Sequence, residues 1–192
     1  MDVCILAGGY GTRLKGVWDG PKCLTRVAGR PVIEHLVNLA LALAPRKIFL
    51  LLGYRAGEVV TWRENCCPHK DVIPIIELQP QGTLHALRQA LPLFEPPVLV
   101  LNGDTMPRYS LREFVHNAEI VTQPIHAAWC DGFYVGAAVF NATGLETMRT
   151  GNYETLDHLF YTSHSRYHAA DYLDIGTPEN FYRAQHMKEG EL

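Results

Sequence analysis

The sequence has few lysines, and none in the long interval between Lys70 and Lys188. It has no CxxC pair, no internal repeat and no low-complexity or linker-like tract. Its five cysteines (Cys4, Cys23, Cys66, Cys67 and Cys130) show neither metal-site spacing nor an even framework, so reduced thiols and a cytoplasmic location are expected. Cys66-Cys67-Pro68-His69 brings two thiols and an imidazole together, but adjacent cysteines in a polar loop do not have the spacing of a metal site. No basic start precedes the first apolar run, so no secretory leader is expected. The most apolar stretch, residues 36–53, is split by Pro45-Arg46-Lys47 and is read as a buried helix and strand, not a bilayer span. A net charge of −3 gives no electrostatic case for nucleic acid or an anionic membrane. Any phosphate site must be a local feature of a mildly acidic chain.

What is present is a soluble, globular composition, 47% apolar and 19% charged. The 192 residues are expected to form one domain, 1–192, burying roughly 70% of the unfolded chain's surface. The stretch Leu6-Ala7-Gly8-Gly9-Tyr10-Gly11-Thr12-Arg13-Leu14 follows a short apolar strand at residues 3–6. Its glycines allow close backbone approach to a ligand, successive N–H groups form an anion-binding concavity, and Arg13 can grip phosphate oxygens. Alone, the loop is also readable as an ordinary glycine-rich turn. It has neither the Gly-Lys-Ser/Thr ending of a P-loop nor the dinucleotide glycine spacing.

In order along the chain, residues 22–30 read as extended, and Pro31 opens a helix over residues 31–44. Strands at 48–52, 72–78 and 97–101 then alternate with helices at 56–64 and 82–94. Short apolar strands alternating with helices predict an α/β, Rossmann-like three-layer fold, with a mostly parallel central sheet and helices on both faces. In such sheets ligands sit at the carboxyl edge, which would bring the glycine loop and Asp104 to one side. Further on, the pattern predicts helices at 110–117, 145–149, 156–161 and 178–187, and strands at 119–125, 137–140 and 172–175.

Four pieces together resemble the sugar-1-phosphate nucleotidyltransferases. They are the glycine loop, Pro21-Lys22, Leu101-Asn102-Gly103-Asp104-Thr105 and Asp174-Ile175-Gly176-Thr177-Pro178. Supporting matches are Val27 to Pro31, Glu77 to Thr83 and Pro178 to Ala184, so the likeness covers most of the chain. The short interval between Leu14 and Pro21 is more similar to the D-glycero-D-manno-heptose 1-phosphate guanylyltransferase branch than to the glucose-1-phosphate thymidylyltransferases.

The resemblance implies transfer of a nucleoside monophosphate from a nucleoside triphosphate to a sugar 1-phosphate, or a similar phosphorylated metabolite, releasing pyrophosphate. Such chemistry needs two anions positioned and their repulsion neutralised. The implied cofactor is Mg²⁺, held by Asp104 and Asp174. By the same resemblance Arg13, Lys22 and Asp104 are catalytic. Leu6, Ala7, Gly8, Gly9, Gly11, Thr12, Asn102 and Gly103 line the nucleotide, Gln79, Gly82 and Thr83 read its base, and Gly136 lies against the acceptor. GTP is the favoured triphosphate, ahead of CTP, dTTP and UTP. Relatives are often dimers or tetramers, so a homo-oligomer is a further expectation.

The second half, residues 119–192, departs from this pattern. A hairpin carrying a Glu-Lys-Pro segment, whose lysine grips the sugar phosphate in relatives, is expected to be missing. Tyr134-Val135 replaces the usual Asn before the sugar-side glycine. Arg108, His126 and Arg149 are the candidate substitutes for the missing cation, with His126 also readable as an ordinary strand residue. A nucleotide-binding half of about residues 1–118 thus precedes a reduced acceptor half. A non-catalytic nucleotide-binding regulatory homologue is the alternative reading.

Overall fold

The computed structural model describes residues 1–79, 81–162 and 165–188. In chain order the larger elements are β1 (Asp2–Leu6), β2 (Arg26–Val27), β3 (Arg30–Pro31), α1 (Val32–Leu41), β4 (Ile48–Leu52), α2 (Ala56–Cys66), β5 (Val72–Ile76), α3 (Thr83–Ala90) and β6 (Val98–Asn102). They continue with β7 (Thr105–Pro107), α4 (Leu111–Val121), β8 (Ile125–Cys130), β9 (Phe133–Phe140), α5 (Ala142–Thr150), α6 (Leu156–Thr162), β10 (Ser165–His168), β11 (Tyr172–Asp174) and α7 (Pro178–Gln185).

Among the described residues seven strands form the main sheet, in the order β10-β8-β9-β6-β1-β4-β5. β9 is antiparallel to both of its neighbours, while all the other pairings are parallel. β4 is a wholly buried apolar run and β1 is one after its first residue, the buried Asp2, as suits strands covered on both faces. Alternate residues of β1 feed different cores. Val3 and Ile5 pack with buried residues of α1, α2 and α4, whereas Cys4 and Leu6 pack with those of α3, α5 and α6. The expected three-layer α/β arrangement follows. No helix among the described residues is long and apolar enough to cross a membrane.

Residues 22–30 are not simply extended. One tight helical turn covers Lys22–Leu24, and the short β2/β3 hairpin follows. Residues 119–121 belong to α4, not to a strand. Phe114, Val115 and Ala118 give that helix its buried face, so β-branched Ile120 is carried on the outside, 65% exposed.

Within residues 119–192 an antiparallel hairpin, β8/β9, is present, and it carries no Glu-Lys-Pro segment. Its two-residue turn is Asp131-Gly132, with φ of 49° and 83°, the backbone that matches strand twist in tight hairpins. Because β9 runs against β6 and pairs with it from Leu101↔Ala137 onward, Tyr134 and Val135 project beyond the carboxyl end of β6. A separate two-stranded ribbon, β7/β11, places Asp174 opposite Thr105.

Candidate active site

The carboxyl ends of β1 and β6 meet directly. Gly103 N–H donates to Leu6 O at 2.9 Å, and a Cβ on Gly103 would lie 2.6 Å from that oxygen. A side chain there would drive the two loops apart. Leu6 and Gly103 thereby put Asp104 beside the glycine loop. Within that loop Gly11 has φ 64°, and a Cβ on it would come within 2.9 Å of Lys22 Cγ, so the lysine stem lies across the loop.

Lys22 Nζ forms an ion pair with Asp104 Oδ2. Asp104 Oδ1 also accepts from Thr105 Oγ1 at 3.3 Å. The β7/β11 register and the Ile175 N–H donating to Asp104 O at 3.0 Å bring Asp174 to the same edge. Asp174 Oδ1 accepts from Gly176 N at 2.7 Å, and Arg13 Nη2 would lie 3.0 Å from a Cβ on Gly176. Arg13, Asp174, Lys22 and Asp104 therefore converge from four separate segments.

Three cavities open along this edge. The first, about 220 Å³, is bounded by Ala7, Gly103, Lys22 and Asp104 on one side and by Tyr134 and Asp157 on the other. Leu6, Gly9, Thr83 and Asn102 also reach it. The second, about 120 Å³, lies between the glycine loop and α3, with Gly8, Gly82 and Thr83 in its wall. The third, about 300 Å³, is framed by Gly11, Thr12, Arg13, Lys22 and Gly176.

Three of the expected site residues, Asp174, Gln79 and Gly136, line none of these spaces. Gln79 is exposed outside them, and Pro80 of the same segment lies outside the described residues. Gly136 is buried instead under Thr105 and Asn102, where a Cβ would come within 2.9 Å of Thr105 Cβ.

The far wall of the first cavity includes Tyr134, which the sequence marks only as a departure from the family pattern, and Asp157, which the sequence reading did not single out. Tyr134 packs its ring on Phe160, with centroids 4.3 Å apart. Its hydroxyl is buried with no hydrogen-bond partner among the described residues. Burial pushes its pKa well above the ordinary value, and Tyr109, Asp157 and Asp104 add to the rise. Asp157 comes from the first turn of α6, where Thr155 Oγ1 accepts from His158 N at 3.1 Å and caps the helix start. Cys23 also reaches the first cavity, but burial raises its thiol to about 12, which leaves it no nucleophile.

None of the three substitute cations lines the first cavity. Arg108 pairs with Asp171 at 2.9 Å beside a different cavity, between α1 and β7. His126 is buried, with Nδ1 2.5 Å from Ser165 Oγ. Arg149 is held by both carboxylate oxygens of Glu146, at 2.6 and 2.8 Å. Among the described residues no three His, Cys, Asp or Glu side chains cluster as a metal site, Cys66-Cys67-Pro68-His69 included. A cation at Asp104 and Asp174 would draw its remaining ligands from phosphate oxygens and water. That donor set suits a hard, oxygen-seeking divalent ion.

Residues 3–167 match the MobA-like NTP transferase domain. The chain therefore belongs to the MobA-like NTP transferase family. It is 41% identical over 106 residues to the bifunctional protein GlmU of Burkholderia mallei, covering 54% of this chain and 22% of that protein. The chain thus spans about a fifth of the length of the curated relatives it matches. Its fold is shared by HddC from Yersinia pseudotuberculosis, with TM-score 0.77, 24% identity and coverage of 95% and 97% of the two chains. UDP-glucose pyrophosphorylase from Acinetobacter baumanii is also similar, with TM-score 0.72, 17% identity and coverage of 95% and 91%. HddC has also been solved complexed with GMP-PN.

Proposed function

We propose that this protein transfers a nucleoside monophosphate from a nucleoside triphosphate to a sugar 1-phosphate, or a similarly small phosphorylated acceptor. An acceptor phosphate oxygen attacks the α-phosphorus in line, the bond from that phosphorus to the β-bridging oxygen breaks, and pyrophosphate leaves. The observation that carries this reading is the Lys22–Asp104 pair, set beside Asp174 and the glycine loop at the carboxyl edge of the sheet.

In this reading the loop N–H groups and Arg13 hold the triphosphate, and Lys22 offsets charge growing on the α-phosphate and the leaving group. Asp104 and Asp174 would hold Mg²⁺, which when bound withdraws charge from the same oxygens. Gln79, Gly82 and Thr83 are assigned to the base side. Gly136 shapes the acceptor side by letting Thr105 and Asn102 pack close to the backbone. Tyr134 and Asp157 complete that side and supply it with hydrogen-bonding groups but no cation. GTP is the favoured triphosphate, in keeping with HddC having been solved with GMP-PN. The five free cysteines agree with a reducing, cytoplasmic setting. A single domain of two functional halves is part of the same reading.

The lack of any lysine between Lys70 and Lys188 supports a second reading, a regulatory homologue that binds the nucleotide without turning it over. Pyrophosphate release, measured with Mg²⁺ over a grid of nucleoside triphosphates and sugar 1-phosphates, separates the two. Release in one combination is expected. Tight triphosphate binding with a blank grid would favour the regulatory protein.

A further inference from the structure

We propose that the Arg108–Asp171 ion pair is a positioning clasp for the two carboxylates assigned to Mg²⁺, a role that rests on the nucleotidyl-transfer reading above. The fold places Arg108 beside the cavity between α1 and β7 and not beside the first cavity, so the transfer chemistry leaves its charge unused. β7 and β11 form a ribbon of three facing pairs, Thr105↔Asp174, Met106↔Leu173 and Pro107↔Tyr172. At one end Ile175 N–H donates to Asp104 O at 3.0 Å, which sets the two assigned metal ligands on adjacent strands. At the other end Arg108 N–H donates to Asp171 O at 3.2 Å, and Arg108 Nη1 meets Asp171 Oδ2 at 2.9 Å. No turn joins the strands, because α4, β8, β9, α5, α6 and β10 lie between them in the chain. Among the described residues neither strand belongs to the seven-stranded sheet.

A two-stranded pairing of this length is marginal by itself, and its terminal pairs fray first. Buried Met106 and Leu173 hold the middle of the ribbon. The ion pair holds its far end, where a hairpin would have a turn, and opposite charges on facing residues stabilise such a pair. The Asp171 carboxylate is itself fixed, since its Oδ1 accepts from Tyr172 N at 2.8 Å. Mg²⁺ demands near-octahedral oxygen geometry, so its affinity reports how well Asp104 and Asp174 are held. Twist or register lost at Arg108 and Asp171 is passed along three residue pairs to those carboxylates. Both clasp side chains are partly exposed, so each can be changed without opening a core.

The test is Mn²⁺ binding to the nucleotide-free full chain, with the unbound ion counted by electron paramagnetic resonance. Mn²⁺ takes the same oxygen ligands as Mg²⁺. Arg108→Gln and Asp171→Asn should each weaken Mn²⁺ about three- to fivefold, the scale of one cross-strand charge pair. The shared direction identifies the clasp. Charge alone would make the two variants differ, since removing a cation favours Mn²⁺ and removing an anion disfavours it. The double variant should weaken Mn²⁺ no further than either single one, because both break one contact. Arg108→Lys, which keeps the charge, should recover most of the loss. Opposite shifts in the two variants, or no change in either, would overturn the clasp. Asp104→Asn separates this outcome from the wider reading. If it abolishes Mn²⁺ binding while the clasp variants bind normally, the metal assignment stands and the clasp falls. Mn²⁺ binding that survives Asp104→Asn unchanged removes the metal assignment, and the clasp with it. Weakening in both clasp variants, without pyrophosphate release from any acceptor, supports the clasp and sinks the transfer reading.

Discussion

The Lys22 ammonium is paired with the Asp104 carboxylate across 82 residues of sequence, with only 17% and 20% of the two side chains exposed. The ammonium offsets the charge of a half-buried carboxylate at the sheet edge that also carries Asp174. The same lysine is the group assigned to the α-phosphate. In the proposed chemistry a divalent cation at Asp104 would free Lys22 for the substrate.

Asp104→Asn is therefore expected to lower the pyrophosphate-release rate on the order of a hundredfold or more. The fold should persist, because an amide still accepts from Thr105 Oγ1 and the backbone bond from Ile175 N is untouched. Circular dichroism with a melting curve establishes the fold, and steady-state turnover decides the role. A variant with near-normal turnover would remove Asp104 from the metal-binding assignment.

Asp157→Asn addresses the other wall of the first cavity. If Asp157 holds donors of the acceptor, KM for the acceptor should rise about tenfold, on the scale of one hydrogen bond to a charged group. Triphosphate binding, measured without acceptor, should stay the same. Equal weakening of both ligands would show that Asp157 shapes the cavity as a whole and does not contact the acceptor.

How much of this was legible in the sequence depends on the kind of contact. The alternation of buried strands and helices was legible, because period and apolar run length are local. So was the meeting of the glycine loop and Asp104, which parallel topology implies and the Gly103–Leu6 bond realises. The β8 strand was not, because Ala127 and Ala128 have weak strand preference and are buried only through tertiary packing. The Asp131-Gly132 hairpin signal was present and would have found it. β7 is three residues long, too short for any periodicity, so its pairing with β11 could not be read locally.

Arg88 gives the site's frame a separate test. Its guanidinium donates to Met148 O at 2.9 Å, Gly151 O at 2.7 Å and Tyr153 O at 3.4 Å. It thus ties α3, which borders the 120 Å³ cavity beside the glycine loop, to the segment leading into α6 and Asp157. Arg88→Ala removes donors from partly buried carbonyls and should cost about 2–4 kcal/mol of stability. Denaturant unfolding measures the loss. A change below about 0.5 kcal/mol, the ordinary effect of a surface substitution, would mean that the clamp contributes nothing.

His126 supplies a pH test independent of catalysis. It is 2% exposed, its ring stacks on Phe114 with centroids 5.4 Å apart, and Tyr167 packs edge-on beside it. Nδ1 meets Ser165 Oγ, while Nε2 is buried without a hydrogen-bond partner among the described residues. Burial lowers its pKa below the ordinary 6.5, because a proton on Nε2 would leave a charge among aromatic rings. The unfolded chain takes up that proton as pH falls through 6.5, whereas the folded protein resists until lower pH. The histidine's contribution to stability is therefore fully present above 6.5 and lost progressively below it, levelling off under the folded pKa. Melting temperature should fall between about pH 7.5 and 5.5, and fall less in His126→Gln. The difference between the two slopes is the informative quantity, since the remaining histidines contribute to both. Parallel slopes would show that His126 titrates alike in the folded and unfolded chains.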